Sequence, residues 1–489
     1  MEYGKHIARN TAWLTLAMVL NKTIAFISFA VIARLIGPQV TGVYFYAVSV
    51  TSVFVVLADL GMAPVIIREI ASGGDQGQRF LSAALRLKLL FAPIAIFSAL
   101  GFGIFTHANS LTFLCIVIAC AVMTADTVHL ILYAGLRGKQ NLKPEALGML
   151  IGQVLTSAIA ISSAYAGYGA PGLVLALLVG SVWNVTWAFV YTQNMQFQFP
   201  IPHPADYKKL CREAIPFALA GIAVKIYSYT DSLLLKAFQG IESVGMYAVA
   251  YKMTYAFQFL PLTFSAALYP SLSEAWGKKD HARLQHTFLE ATRLTAAFGF
   301  AIAAGLSAFA PRLILEVYGS AFLGSVAPFE ILPWVLLPIF MDFPIGSLLN
   351  ATGRAKQKTM AMIGTMFINV ILNVILVPRF GPFGAAWAGV FSFWSLYGIG
   401  LILTRQDVGG FSPCVKILLR AIIASIGMWI CIRYIAIFIP LIPALIFGSA
   451  ASVACAFLTR LIRFEDIFFI LRLHKTDADI KEEVIHEDV

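Results

Sequence analysis

Long apolar runs separated by short polar breaks recur along the whole chain. A helix needs about 20 predominantly apolar residues to cross the hydrocarbon of a bilayer. Fourteen such runs can be read, centred on residues 11–33, 43–66, 84–105, 111–134, 146–166, 171–192, 213–237, 245–268, 291–310, 329–350, 359–377, 384–403, 415–438 and 441–459. Alternating apolar and polar positions are missing, so spanning helices are expected rather than an outer-membrane barrel, whose strands need only about 9–11 residues. The last two runs are separated by Ile439 and Pro440 alone, which predicts a tight helical hairpin. The first run extends beyond the roughly 7–15 apolar residues of a signal peptide, carries Asn21 and Lys22 at its middle and precedes no A-x-A site; it is expected to stay as a span.

Composition removes the remaining alternatives. The 489 residues are 59% hydrophobic and 12% charged, against about 25% charged in ordinary soluble domains, which excludes a water-soluble multidomain chain. The six cysteines, Cys115, Cys120, Cys211, Cys414, Cys431 and Cys455, never stand in CxxC spacing and read as small core hydrophobes. A formal charge of +10 would suit a nucleic-acid partner, but the basic residues are distributed by membrane side. With the N-terminus cytoplasmic, 27 of the 35 Lys and Arg fall in inner segments, four (Arg34, Lys236, Arg312, Arg379) in outer ones and four (Lys22, Lys225, Lys252, Arg433) within spans. Because cytoplasmic loops carry the excess of Lys and Arg, both termini are expected inside. The longest outer loop, 311–328, leaves no room for an extramembrane active site, and the acidic ending TDADIKEEVIHEDV reads as a solvated tail.

The chain also repeats itself. A shift of 203 residues aligns Arg9 with Arg212, Lys22 with Lys225, Gly37 with Gly240, Gly42 with Gly245, Tyr44 with Tyr247 and Ala47 with Ala250, ten identities over residues 9–54. Composition alone gives about three. RGKQ at 137–140 matches RAKQ at 354–357, and GAPG at 169–172 matches GPFG at 381–384. Spans 1–6 and 7–12 are thus two copies of a unit, and an even number of spans gives both copies one orientation, related by an axis along the membrane normal. The expected architecture is an all-α polytopic membrane protein: two like-oriented six-helix bundles (1–200 and 201–410), an extra helical pair (411–463) and a tail (464–489). Two such bundles facing one another suit alternating access in a transporter.

Few charges interrupt the spans. Lys22 and Lys225 both lie about 12 residues into theirs, where a lysine costs about 2.5–3.5 kcal/mol, so both need water, a partner or a ligand. They are candidates for holding an anionic substrate from a shared cavity; the alternative is snorkelling or pairing with a local acid such as Asp231. Lys252 is a candidate for the outer mouth. Asp126 and Asp342, further candidates for substrate binding, occupy nearly equivalent places in spans 4 and 10, and His129 follows Asp126 on the same helical face, either as a proton-responsive pair or as a packing motif. Asp59 sits where Arg68, Arg86 or Lys88 can pair with it; Asp59, Arg86, His129 and Asp231 form the candidate coupling or gating set. Pro333, Pro338 and Pro344 crowd span 10 and predict a broken helix. GMLIG at 148–152 reads as a small-residue packing surface. There is no HExxH, GxSxG or phosphate-binding GxxxxGK[ST], so no enzyme, cofactor or metal site is expected, and transport would draw on an ion gradient, the membrane potential or the substrate's own gradient.

The segment from Asn10-Thr11 through Lys22, Ala33-Arg34-x-x-Gly37-Pro38, Gly42, Tyr44 and Asp59-Leu60-Gly61 to Arg68-Glu69 resembles the start of the oligosaccharide flippases of the polysaccharide biosynthesis group. This is the Wzx-like branch of the multidrug/oligosaccharidyl-lipid/polysaccharide superfamily. The RGKQ segment, the YGAPG turn and the fourteen-span count, against twelve in MATE exporters, also fit. The resemblance implies inversion of a polyprenyl-diphosphate-linked anionic oligosaccharide through a cationic central cavity in the cell (inner) membrane, for surface polysaccharide synthesis, with membrane lipids and polymerase or assembly proteins as partners. Alternatives are a MATE-like small-molecule antiporter and a membrane glycan polymerase or ligase; the first would want acids where Lys22 and Lys225 stand, and the second a large outer loop.

Overall fold

A computed structural model describes the backbone of residues 2–73, 75–435 and 438–463, and their side chains from residue 16 onward except 262–267 and 435. The acidic tail and the Asn10 and Thr11 side chains lie outside the described residues. In chain order the helices are α1 (Glu2–Phe54), α2 (Val56–Asp59), α3 (Ala63–Ala71), α4 (Asp75–Phe105), α5 (Ser110–Gly138), α6 (Lys143–Tyr165), α7 (Gly169–Asn194), α8 (Pro204–Gln239), α9 (Ile241–Tyr255), α10 (Leu260–Gly277), α11 (His281–Leu313), α12 (Val326–Ile331), α13 (Leu336–Ala351), α14 (Ala355–Thr404), α15 (Ser412–Ile435) and α16 (Leu441–Leu458).

Among the described residues, ten helical stretches are long and apolar enough to cross a membrane, where the hydropathy reading has fourteen. Two stretches are double. In α1 one span runs into the next across Gly37 (φ 75°, ψ 175°), and in α14 across Gly381 (φ 56°, ψ −136°). The remaining two predicted spans fall on α8, rich in charged residues, and on the short α9 with α10. Span 10 is broken as its prolines predict: a 3-10 turn at Leu332–Val335 separates α12 from α13.

The repeat persists in the backbone. Gly240 (φ 88°, ψ 174°) breaks the chain between α8 and α9 in nearly the conformation of its mate Gly37, a region open essentially to glycine alone. Gly42 and Gly245 then meet face to face: a β-carbon on Gly245 would lie 2.8 Å from Pro38 C and 2.9 Å from Gly42 N, and one on Gly42 3.0 Å from Gly245 N. The two copies touch through the same surface, as a two-fold relation requires.

The chain forms two compact units: Met1–Phe259, Ala310–Leu332 and Ala355–Leu396 in the first, Leu260–Phe309, Pro333–Arg354 and Tyr397–Val489 in the second. In the first, α6 packs on α5 and α7 through small residues, because Gly148 lies against Tyr133 and Trp187, and Gly152 against Asn184 and Trp183. Basic residues at the predicted inner end are tied down: Arg137 holds the fully buried Glu145 by two hydrogen bonds, Arg68 pairs with Glu213, and Arg79 lies 3.4 Å from Asp206. In the second unit, Arg354, the repeat mate of Arg137, likewise reaches an acid, Asp407, and Arg293 pairs with Glu290. Trp334 of the 3-10 turn and Trp429 of α15 both donate to Ser307 Oγ in α11 at 3.2 Å, while Gly448 of α16 faces Phe309. Helices α15 and α16 therefore pack against α11.

Candidate functional site

The three lysines that fall within predicted spans lie in the first unit, on three helices. Lys22 of α1 is exposed, and Lys225 of α8 and Lys252 of α9 are half-buried. None forms a hydrogen bond or ion pair with a described residue. Lys225 Nζ lies 5.7 Å from the Tyr229 ring centroid, and Lys252 Nζ lies 5.7 and 5.8 Å from those of Phe29 and Phe45. The aromatic faces supply part of the stabilisation that an ammonium loses with its water. Lys22 and Lys252 act electrostatically on one another, although only Lys252 lines the cavity described below.

The acids have more local partners. Asp126 Oδ1 of α5 accepts from Ser181 Oγ of α7 at 2.6 Å, and His129 Nδ1 stands 3.6 Å from the same oxygen. The helical spacing thus brings Asp126 and His129 together as the sequence indicates, with Lys225 in electrostatic reach of the carboxylate. Asp59 pairs with Lys88, one of its three expected partners, at 2.5 Å; Lys88 is only 1% exposed. Asp59 and Lys225 also line one small cavity, beside Gly61 and Gly221. Asp231 is not paired with a lysine: it accepts from Tyr247 Oη at 2.5 Å and from the Ser232 amide at 2.7 Å, linking α8 to α9. Arg86 is exposed and forms no ion pair among the described residues. Asp342 belongs to α13 of the second unit, beside Gly400 and Tyr397.

The hydropathy reading passes over a cavity of about 140 Å³ walled by α1, α6 and α7, with Lys252 entering from α9. Space on that scale admits several water molecules. Ser28, Thr41, Tyr44, Gln153, Thr156 and Ser157 contribute its polar lining. The signal was present in the spacing: Gln153, Thr156 and Ser157 stand at i, i+3 and i+4, one polar face on an otherwise apolar span.

A family model described as "Polysaccharide biosynthesis protein" matches residues 7–276, and one described as MatE matches residues 216–375. A probable low-salt glycan biosynthesis flippase of Haloferax volcanii, Agl15, is 23% identical over 389 residues, covering 79% of this chain and 81% of that one. A second Haloferax volcanii protein, the probable flippase AglR, is 29% identical over 266 residues, covering 53% and 54%. Among solved structures, the lipid II flippase MurJ in an inward closed conformation superposes with TM-score 0.72 at 15% identity over 93% of this chain and 99% of that one. An inward-facing MATE multidrug transporter gives TM-score 0.69 at 16% identity over 79% and 94%. The first family match takes in more than half the chain, including the lysines of all three helices, and the fold likeness extends over nearly all of it. The chain is a multi-pass membrane protein of the polysaccharide biosynthesis family, with the fold of the multidrug/oligosaccharidyl-lipid/polysaccharide superfamily.

Proposed function

We propose that this protein moves a polyprenyl-diphosphate-linked oligosaccharide from the cytoplasmic to the outer leaflet, by alternating access between two six-helix lobes, residues 1–200 and 201–410. The observation that carries the reading is the trio Lys22, Lys225 and Lys252, none of which forms an ion pair with a described residue, Asp126 reaching Lys225 only at longer range. A lysine placed within the hydrocarbon without a counter-charge is costly, and an anionic ligand removes that cost. Two of the three sit at repeat-equivalent positions, so Lys22 and Lys225 offer one charge from each lobe to the diphosphate, while the polyprenyl tail stays in lipid. The flippase names of the relatives support the same substrate class.

With both termini cytoplasmic, as the 27-to-4 bias favours, substrate enters at the end rich in Arg and Lys and leaves at the Gly37 and Gly240 end. The Gly42–Gly245 contact would part for release. An interior-negative potential drives the anion outward by about 2.3 kcal/mol per charge per 100 mV. In this reading Asp126 and Asp342 join the lysines as substrate contacts, and Asp59, His129, Asp231 and Arg86 form the coupling or gating set; Asp126 in electrostatic reach of Lys225, with His129 beside it, and Asp59 in one cavity with Lys225 support it.

Deleting the gene from its host should make the lipid-linked precursor accumulate in the cytoplasmic leaflet, and normal export in the deletion strain would overturn the proposal. Lys22→Ala and Lys225→Ala should each lower export at unchanged protein level. Full activity of the double variant would return both lysines to a structural role.

A further inference from the structure

The cavity beside Lys252 has a chemistry of its own. Lys252 is the single charge in its lining, and its ammonium is held between the Phe29 and Phe45 rings with no acceptor among the described residues. Ser28 Oγ donates to Ile24 O at 2.6 Å, which leaves its lone pairs for a ligand. Gln153 Nε2 donates to Ser157 Oγ at 3.1 Å, freeing the Gln153 carbonyl as an acceptor and the Ser157 proton as a donor. The Tyr44 phenol and the Thr156 hydroxyl have no hydrogen bond with a described residue. One fixed positive charge, hydroxyls and an amide able to give and take hydrogen bonds, and aromatic walls match a monoanionic polyol. A diphosphate, with its higher charge, is matched better by several cations than by one.

We infer that this cavity is a selectivity subsite for a carboxylated sugar of the carried glycan, with the carboxylate at Lys252 and the ring hydroxyls on Tyr44, Gln153, Thr156 and Ser157. The inference rests on the proposed transport of a lipid-linked oligosaccharide and adds that the glycan contains an acidic residue, such as a uronic acid. The site lies in the outer half of the first repeat, away from the inner end where the lipid-linked substrate would enter.

The test uses the full-length protein in nanodiscs and lipid-free probes: a glucuronate-terminated disaccharide, the same disaccharide with the carboxylate converted to its neutral amide, and inorganic diphosphate. Binding is read by saturation-transfer NMR, which detects millimolar affinities. The acidic disaccharide should bind at least tenfold more tightly than its amide. Lys252→Met should abolish that ratio, Lys252→Arg should keep it, and Tyr44→Phe with Gln153→Ala should weaken both sugars. Equal binding of acid and amide, an unchanged ratio in Lys252→Met, or displacement of the sugar by equimolar diphosphate would each overturn the subsite. Inversion of a lipid-linked glycan in proteoliposomes is measured separately. No inversion by the wild-type protein removes the transport proposal, whereas equal binding of acid and amide by a wild type that does invert the lipid-linked glycan removes only the subsite.

Discussion

Replacing Gly42 by alanine tests the contact between the two repeats. A methyl at this position would lie 3.0 Å from Gly245 N and would run into the Ile241 carbonyl, and its mate at Gly245 would lie 2.8 Å from Pro38 C, where ordinary contact begins near 3.4 Å. Both obstacles are backbone, so no side chain can swing aside; α1 and α9 must separate by at least about half an ångström along the whole interface. Overpacking of a close-packed interior costs about 1–3 kcal/mol, and the loss of the neighbouring contacts puts Gly42→Ala and Gly245→Ala each at the upper part of that range. Because the first methyl already separates the helices, the second finds part of its space made. The double variant should therefore cost less than the sum of the singles, by about 0.5 kcal/mol or more, as expected of residues sharing one contact. SDS-titrated unfolding of the purified protein in mixed micelles, carried out on the wild type, both singles and the double, yields the coupling directly. Singles within about 0.5 kcal/mol of wild type, or strictly additive costs, would refute the close packing of the two repeats at these glycines.

Other expectations follow from local geometry. Gly37→Ala and Gly240→Ala place a side chain at φ 75° and 88°, and should destabilise by similar amounts, about 1–3 kcal/mol each, in the same titration; a large inequality would contradict their equivalence. Asp59→Asn leaves the Lys88 ammonium, 1% exposed, without its counter-charge and should lower stability by about 3 kcal/mol, whereas Asp59→Asn with Lys88→Met should recover most of the loss. A double variant as unstable as the single would show that the pair is not what Asp59 contributes. Glu145→Gln strips the buried carboxylate from Arg137 and should reduce the folded yield in membranes, measured by fluorescence-detected size exclusion; a wild-type yield would count against the buried pair as a brace of α5 on α6.

The spans and the repeat were legible without a structure because both are local properties of the chain. Transfer of about 20 apolar residues into lipid does not depend on neighbours, and a ten-identity repeat with Gly37 and Gly240 in register already fixes where each copy breaks. The i, i+3 spacing likewise suffices to put His129 on the side of Asp126. Counting continuous helices was less straightforward, since a single glycine in an unusual conformation joins two spans end to end in α1 and α14. Tertiary structure decided the partners. Helical periodicity says which face a residue occupies but not what lies across from it, so only packing shows Asp59 with Lys88, Asp231 with Tyr247 instead of a lysine, and Gly42 against Gly245. The same holds for Lys252: its position in α9 is visible in the sequence, but the cavity it enters is built by α1, α6 and α7, and nothing along α9 itself records those walls.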